Sequence, residues 1–269
     1  MKNANIKPDL SGKTVVVTGG TGILGQHFCR GYVAAGARVA VIDLDADTCA
    51  QAAKELGNGS IGLAVDITDP ASVQTAIDTI VAETGRIDVL MNNAASKSRD
   101  LRAFFTPFEE YDLDIWRDVM SVNIDGMFLM TQAAGRQMLA QGEGGAVLNM
   151  ASIYGIVAPD ARIYEGSDYM GGVINTPAVY SASKAAVVGF TKWLSTHWAT
   201  EGIRANCLVP GGVSSGQNGV FQQNYASRVP MGRMAEAQEM VGPAVFLASD
   251  TASYITGQVL AVDGGWTAW

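Results

Sequence analysis

Residues 14–43 constrain the fold more than any other stretch of the chain. Thr14-Val-Val-Val-Thr18 is a short β-branched run, as expected of a strand buried on both faces. It leads directly into Gly19-Gly-Thr-Gly22-Ile-Leu-Gly25. Leu24, Phe28 and Tyr32 then recur every fourth residue, which predicts a helix that Gly36 ends. Ala37–Asp43 reads as a second strand with an acid at its end. This order has the physical logic of a dinucleotide site. Glycines let the backbone approach a pyrophosphate, whose charge sits at the helix N-terminus. Asp43 lies 18 residues beyond Gly25, where a carboxylate can accept hydrogen bonds from ribose hydroxyls. It would repel a 2′-phosphate, so the expected cofactor is NAD and not NADP.

The alternation continues. Ala46–Leu56 reads as a helix, Ser60–Val65 as a strand closed by Asp66, and Asp69-Pro70 as the start of a third helix. Ile87–Met91 is a fourth strand leading to Asn92-Asn-Ala-Ala. Strands alternating with helices of this length imply α/β architecture, a doubly wound parallel sheet covered on both faces. Ligands then sit at the carboxyl ends of the strands, where Thr18, Asp43, Asp66 and Asn92 fall. Asp66 and Asn93 are thus placed toward the adenine and ribose. A helix is expected from Asp114 to about Ala140 with Asn123 at mid-length, a fifth strand at Ala146–Met150, and a sixth at Ile203–Val209. Ala235–Ser249 reads as a helix and Val259–Val262 as the last strand. Residues 1–12 read as a loosely held lead-in to a single domain over 13–269.

Composition narrows the function. A net charge of −8 argues against nucleic acid and against an anionic membrane surface. No apolar stretch is long enough to span a bilayer. Cys29, Cys49 and Cys207 are scattered, and with no secretion signal they read as reduced thiols of a cytoplasmic protein. His27 and His197 fall outside any metal-binding pattern, so no metal is expected.

Tyr180-Ser-Ala-Ser-Lys184 carries the chemistry. Residues four apart on a helix share one face. A phenol with a pKa of about 10 is a poor base at neutral pH, and a nearby ammonium favours the phenolate. Such a pair can take a proton from an alcohol or return one to a carbonyl.

Taken together, TGGTGILG at 18–25, Asp43, Asp66, NNA at 92–94, Asn123, Ser152, YSASK at 180–184 and Pro210-Gly211 resemble the short-chain dehydrogenase/reductase family over nearly the whole chain. The resemblance implies a catalytic set of Asn123, Ser152, Tyr180 and Lys184. Ser152 would hydrogen-bond the substrate oxygen and Tyr180 exchange the proton. Lys184 would contact the nicotinamide ribose and depress the tyrosine pKa, and Asn123 would hold a water linking Lys184 to solvent. It also implies cofactor contacts from Gly19, Thr21, Gly22, Ile23, Leu24, Asp43, Leu44, Asp66, Ile67, Asn93, Ala94, Pro210, Gly211, Val213 and Ser215, with the Val213 backbone at the nicotinamide carboxamide. The ending Val-Asp-Gly-Gly-Trp266 resembles family members with a nearby subunit interface, which implies a homo-oligomer, tetramer or dimer. Trp266 and Trp269 are then expected to bury against a neighbouring subunit.

Three departures stand out. The glycine spacing is that of the longer, extended branch of the family, Ala95 stands where glycine is usual, and 28 positions separate Ser152 from Tyr180. The extra stretch, about 159–177, is rich in glycine, tyrosine and acids and is expected to be a substrate loop. Residues 96–112, with Lys97, Arg99 and Arg102, and the amide-rich 213–232 are expected to be two more, the last of them a lid. Polar loops point to a small polar substrate, a sugar or sugar derivative. The alternatives are a 3-oxoacyl-thioester reductase and, in another class, a non-catalytic dinucleotide sensor.

Overall fold

The structure is a computed structural model that describes residues 7–98, 100–169 and 171–269. Arg99 of the basic segment, Met170 of the long insertion and residues 1–6 of the lead-in lie outside the described residues.

The first half alternates as the sequence predicts. Strands β1 (Thr14–Thr18), β2 (Arg38–Asp43), β3 (Ile61–Ala64) and β4 (Val89–Asn92) are separated by helices α1 (Ile23–Ala34), α2 (Ala46–Leu56) and α3 (Pro70–Thr84). Asp69 caps α3 by accepting from the Ala71 and Ser72 N–H groups, with Pro70 inside the first turn. Then come the short α4 (Leu101–Phe104), α5 (Leu113–Met120), α6 (Met127–Gln141) and β5 (Gly145–Met150). The insertion adds a two-stranded hairpin, β6 (Asp168–Tyr169) and β7 (Gly172–Val173). Helix α7 (Ala178–His197), β8 (Ile203–Pro210), α8 (Gly219–Ala226), α9 (Val241–Ala248) and β9 (Val259–Val262) complete the chain.

Seven parallel strands form one sheet in the order β3-β2-β1-β4-β5-β8-β9. The order reverses between β1 and β4, which opens the crevice above their carboxyl ends. Alternate residues along each strand serve opposite faces. Val15, Val17, Val39 and Val41 pack with Phe28, Tyr32 and Leu247 on one side of the sheet. Val16, Ala40 and Ile42 pack with Ile77, Ile80, Met130 and Met138 on the other. Burial on both faces is why these strands read as continuous apolar runs.

Four details differ from the sequence reading. The helix expected over 114–140 is interrupted by a π-helical turn at Ser121–Gly126, centred on Asn123. The stretch 235–249 is a 3-10 turn, Ala237–Met240, followed by α9. The expected polar lid contains a helix, α8, because Asn218 caps it through the Phe221 N–H and Tyr225 buries into the body. The lead-in is docked at its end: Leu10 is 2% exposed, and its N–H donates to the Ala35 carbonyl at 2.8 Å.

Candidate active site

The glycine loop is a cradle built of main chain. Gly19 has φ +63°, and a Cβ there would lie 2.9 Å from the Ala94 Cα. A Cβ on Gly25 would lie 2.0 Å from the Gly19 carbonyl oxygen, so this crossing admits no side chain. Gly22 caps α1 without a side-chain hydrogen bond, and the first turn of α1 holds no acid. Such an N-terminus leaves N–H groups and the positive helix end for an anion. Loop and helix end therefore fit a dinucleotide pyrophosphate.

Neighbouring polar groups brace this cradle. Thr18 Oγ1 accepts from the Asn93 and Ala94 N–H groups, each at 3.1 Å. The Asn93 amide donates to the carbonyls of Thr18 at 3.1 Å and Gly19 at 3.0 Å, so its side chain clamps the loop. Asp43 Oδ2 accepts from Thr21 N–H at 3.1 Å and Thr21 Oγ1 at 2.5 Å, which locks the acid to the loop. Leu44 follows at 73% exposure, with Asp45 and Asp47 beyond it. Asp66 accepts from Thr68 N–H and Oγ1 at the adjacent strand end, while Ile67 is buried beneath.

The predicted catalytic groups converge at the far end of the crevice. Ser152 lies two residues beyond β5 and Tyr180 in the first turn of α7, which sets the Tyr180 phenol beside the Ser152 hydroxyl; Ser152 Oγ also accepts the Tyr154 N–H at 3.2 Å. Lys184 lies one turn further into the protein, 4% exposed. Its ammonium donates to the Met150 carbonyl at 2.9 Å and sits 5.8 Å from the Tyr180 ring centroid. Burial lowers the lysine pKa to about 8, opposed by the neighbouring Cys207 thiol.

The expectation that Lys184 lowers the Tyr180 pKa is corrected here. Burial dominates and raises it, opposed by the Ser152 hydrogen bond. Burial likewise raises the phenols of Tyr154, Tyr164 and Tyr225, which share this end of the crevice. What sets Tyr180 apart among the four is the combination of Ser152 and Lys184.

Asn123 is 1% exposed, and its side chain is committed to other bonds. Its Oδ1 accepts from Ser96 N–H at 2.8 Å, and its Nδ2 donates to Ser183 Oγ at 3.2 Å. It thus joins the 96–112 segment to α7. Single π turns inside α-helices recur at functional sites, and this one falls on Asn123.

A cavity of about 820 Å³ opens over Ser152 and Tyr180. Ile23, Leu24, Pro210, Gly211, Val213 and Ser215 line it from the cofactor side. All three expected loops reach it: Lys97, Phe104 and Phe105 from the first, Tyr164, Asn175 and Thr176 from the insertion, and Gln217, Asn218 and Tyr225 from the third. The aromatic share of this lining escaped the sequence reading. Only the tyrosine-rich character of the insertion hinted at it. Ser215 faces Gln217, whose Oε1 accepts the Ser215 N–H at 2.7 Å. Trp266 packs inside the chain, stacked on Tyr225 at 4.6 Å, whereas Trp269 is 81% exposed. The expectation that Trp266 waits for a neighbouring subunit is therefore corrected.

The fold and this site define an α/β oxidoreductase with a dinucleotide crevice. The chain belongs to the short-chain dehydrogenase/reductase family. A family model described as enoyl-(acyl carrier protein) reductase matches residues 20–267. D-threitol dehydrogenase of Mycolicibacterium smegmatis is 38% identical over 96% of this chain and 94% of its own. A gluconate 5-dehydrogenase from Burkholderia cenocepacia, solved with NADP and tartrate, superposes with TM-score 0.84 at 31% identity, covering 97% of each chain. A short-chain dehydrogenase from Leptospira borgpetersenii with bound NAD+ has TM-score 0.84 at 33% identity, covering 99% of this chain and 97% of that one. The chain is accordingly an oxidoreductase of CH–OH groups that uses a nicotinamide dinucleotide. No helix among the described residues is long and apolar enough to cross a membrane.

Proposed function

We propose that the chain interconverts a secondary alcohol and its ketone on a polyol, sugar or sugar acid, with NAD as the cofactor and Tyr180 as the general acid/base. The observation that carries this reading is the Ser152–Tyr180 pair on the cavity floor with Lys184 buried one turn below. A bound nicotinamide supplies the hydride acceptor or donor. The protein does the rest. Ser152 donates to the substrate oxygen, and Tyr180 takes the alcohol proton as the carbonyl forms. Lys184, fixed on the Met150 carbonyl, would hold the nicotinamide ribose beside the phenol. Asn123 spends its amide on Ser96 and Ser183 and so braces the 96–112 segment against α7 beside Tyr180.

Charge supports NAD. Asp43, Asp45 and Asp47 cluster at the end of β2, where negative charge would disfavour a 2′-phosphate on the adenosine ribose. The carbohydrate reading rests on the mixed character of the walls. Aromatic faces from Phe104, Phe105 and Tyr164 suit C–H surfaces, while Lys97 and the unpartnered Asn175 Oδ1 offer polar contacts to a carboxylate and to hydroxyls. The threitol and gluconate dehydrogenases named above act on molecules of this kind. The same reading takes the chain as a homo-oligomer, with exposed Trp193 and Trp269 in its contacts.

Tyr180→Phe tests the assignment. It is expected to lower kcat by roughly a thousandfold or more while NADH affinity stays within about twofold. Turnover surviving within tenfold of the parent rejects Tyr180 as the proton-transfer group.

A further inference from the structure

The insertion and α8 are far apart in sequence yet joined at several points between Asp160 and Asp168 on one side and Asn218 and Arg228 on the other. The Asn218 amide donates to Ser167 Oγ at 2.9 Å and to the Asp168 carbonyl at 2.8 Å. The Asn224 amide donates to the Glu165 carbonyl at 2.8 Å. Arg228 pairs with Asp160 at 2.9 Å. Tyr164 stacks on Phe221 with ring centroids 5.6 Å apart.

Helix α8 is also tied to the cofactor side, most directly through Tyr225, and at longer range through the Gln222 amide, which donates to the Gln217 carbonyl at 2.7 Å. Tyr225 is 3% exposed, and its hydroxyl accepts the Gly212 N–H. Its ring lies so close under the backbone that a Cβ on Gly212 would meet it at 2.5 Å. Trp266 backs the ring from the other side. The same backbone is held opposite by Ala235, whose N–H donates to the Gly212 carbonyl at 2.9 Å and whose carbonyl accepts the Ser214 N–H at 2.8 Å. Gly211, Gly212 and Val213 line the cavity where the proposed function puts the nicotinamide.

We infer that Tyr225 is a positioning residue that couples the substrate wall to the cofactor wall: it fixes the Gly211–Val213 backbone according to where the insertion holds α8. This rests on the reading of Gly211–Val213 as the nicotinamide wall. A substrate that shifts the insertion then shifts the backbone that faces the cofactor. The glycine at 212 is required because the tyrosine ring occupies the space of a side chain.

The test measures NADH affinity by fluorescence titration for the parent, Tyr225→Phe, Asn224→Ala and the double variant, with Tm recorded for each. Tyr225→Phe keeps the stack on Trp266 and removes only the acceptor. It is expected to weaken NADH binding roughly fivefold to tenfold, the scale of one buried hydrogen bond left unmade. Asn224 does not line the cavity, and its amide touches only the insertion. Asn224→Ala is nonetheless expected to weaken NADH binding about twofold to threefold, and to add nothing in the Tyr225→Phe background. The inference is overturned if Asn224→Ala leaves NADH affinity unchanged, or if the two effects multiply. It is overturned equally if Tyr225→Phe changes Tm alone. Asn224→Ala decides the matter by itself if Tyr225→Phe does not fold. A parent protein that binds no NADH overturns the proposed function and this inference with it, whereas a parent that binds NADH beside unchanged variants overturns this inference alone.

Discussion

The dinucleotide cradle and the substrate wall of the cavity beside it are made of different material. Above β1, β2 and β4 the cradle is main chain: Gly19, Gly22 and Gly25, braced by Thr18, Asn93 and Asp43. Its conformation is over-determined by contacts closer than any side chain could fit. The substrate wall is side chain: Phe104, Phe105, Tyr164, Asn175, Asn218 and Tyr225, contributed by three segments. Its ties include hydrogen bonds and an ion pair between positions 50 or more residues apart, such as Asn218 with Ser167, Asn224 with Glu165 and Arg228 with Asp160. The cradle leaves no room for a side chain at Gly19 or Gly25. The substrate wall can be rewritten one side chain at a time, as a change of substrate requires.

The largest effect expected from this contrast comes from Gly25→Ala. The new methyl would lie 2.0 Å from the Gly19 carbonyl oxygen and 2.8 Å from the Gly20 Cα, against backbone that cannot give way. NADH affinity is expected to fall by roughly a hundredfold or more, about 2.7 kcal/mol, in a fluorescence titration. An affinity within threefold of the parent would show that the cradle is as forgiving as the substrate wall.

Lys184 stands at the seam between cradle and wall, and its cost is visible in stability. Its pKa falls from 10.5 to about 8 on burial, so the folded protein is penalised wherever the lysine must carry its charge. The unfolded chain binds more protons than the folded one between about pH 8 and 10.5. This group's penalty is therefore full below pH 8 and fades as pH rises through that window. Lys184→Met is expected to stabilise the fold by on the order of 2 kcal/mol at pH 7 while abolishing turnover. The gain should shrink toward pH 10 in denaturant titrations. A gain independent of pH would place its origin in packing and not in charge.

The smallest effect is on the substrate side. The Lys97 ammonium lines the cavity and has no hydrogen-bond or ion-pair partner among the described residues. Lys97→Ala is expected to raise KM for a sugar acid roughly tenfold, as for loss of one hydrogen bond to a charged group. KM for a neutral polyol and affinity for NADH should stay within about twofold. Equal losses for acid and polyol would remove the carboxylate role from Lys97.

The same contrast explains what could be read in the sequence. Local patterns carry the sheet, α1, α2 and α3, because β-branched runs, glycine turns and the Asp69-Pro70 cap act within a few residues. Ser152, Tyr180 and Lys184 were legible as motif residues, and the fold brings Ser152 and Tyr180 together on the cavity floor with Lys184 buried beneath. The π turn at Asn123 was not legible. It is imposed by contacts to Ser96 and Ser183, which lie 27 and 60 residues away. Helix α8 was hidden for a similar reason. Its polar residues read as a lid until Asn218, Asn224 and Tyr225 find partners in the insertion and at Gly212. The raised Tyr180 pKa was missed because burial depends on the packed fold and not on the spacing of tyrosine and lysine.

The most direct test of the central claim is the initial rate of NADH formation on a panel of polyols, free sugars, sugar acids and simple alcohols. The parent and Tyr180→Phe are run side by side, with NADP as the rival cofactor and 3-oxoacyl thioesters as the rival substrates in reverse. The account predicts selective turnover of one polyol, sugar or sugar acid with NAD, slower turnover with NADP, and none with the variant. Turnover confined to the thioesters, or NAD binding with no turnover of anything on the panel, would contradict it.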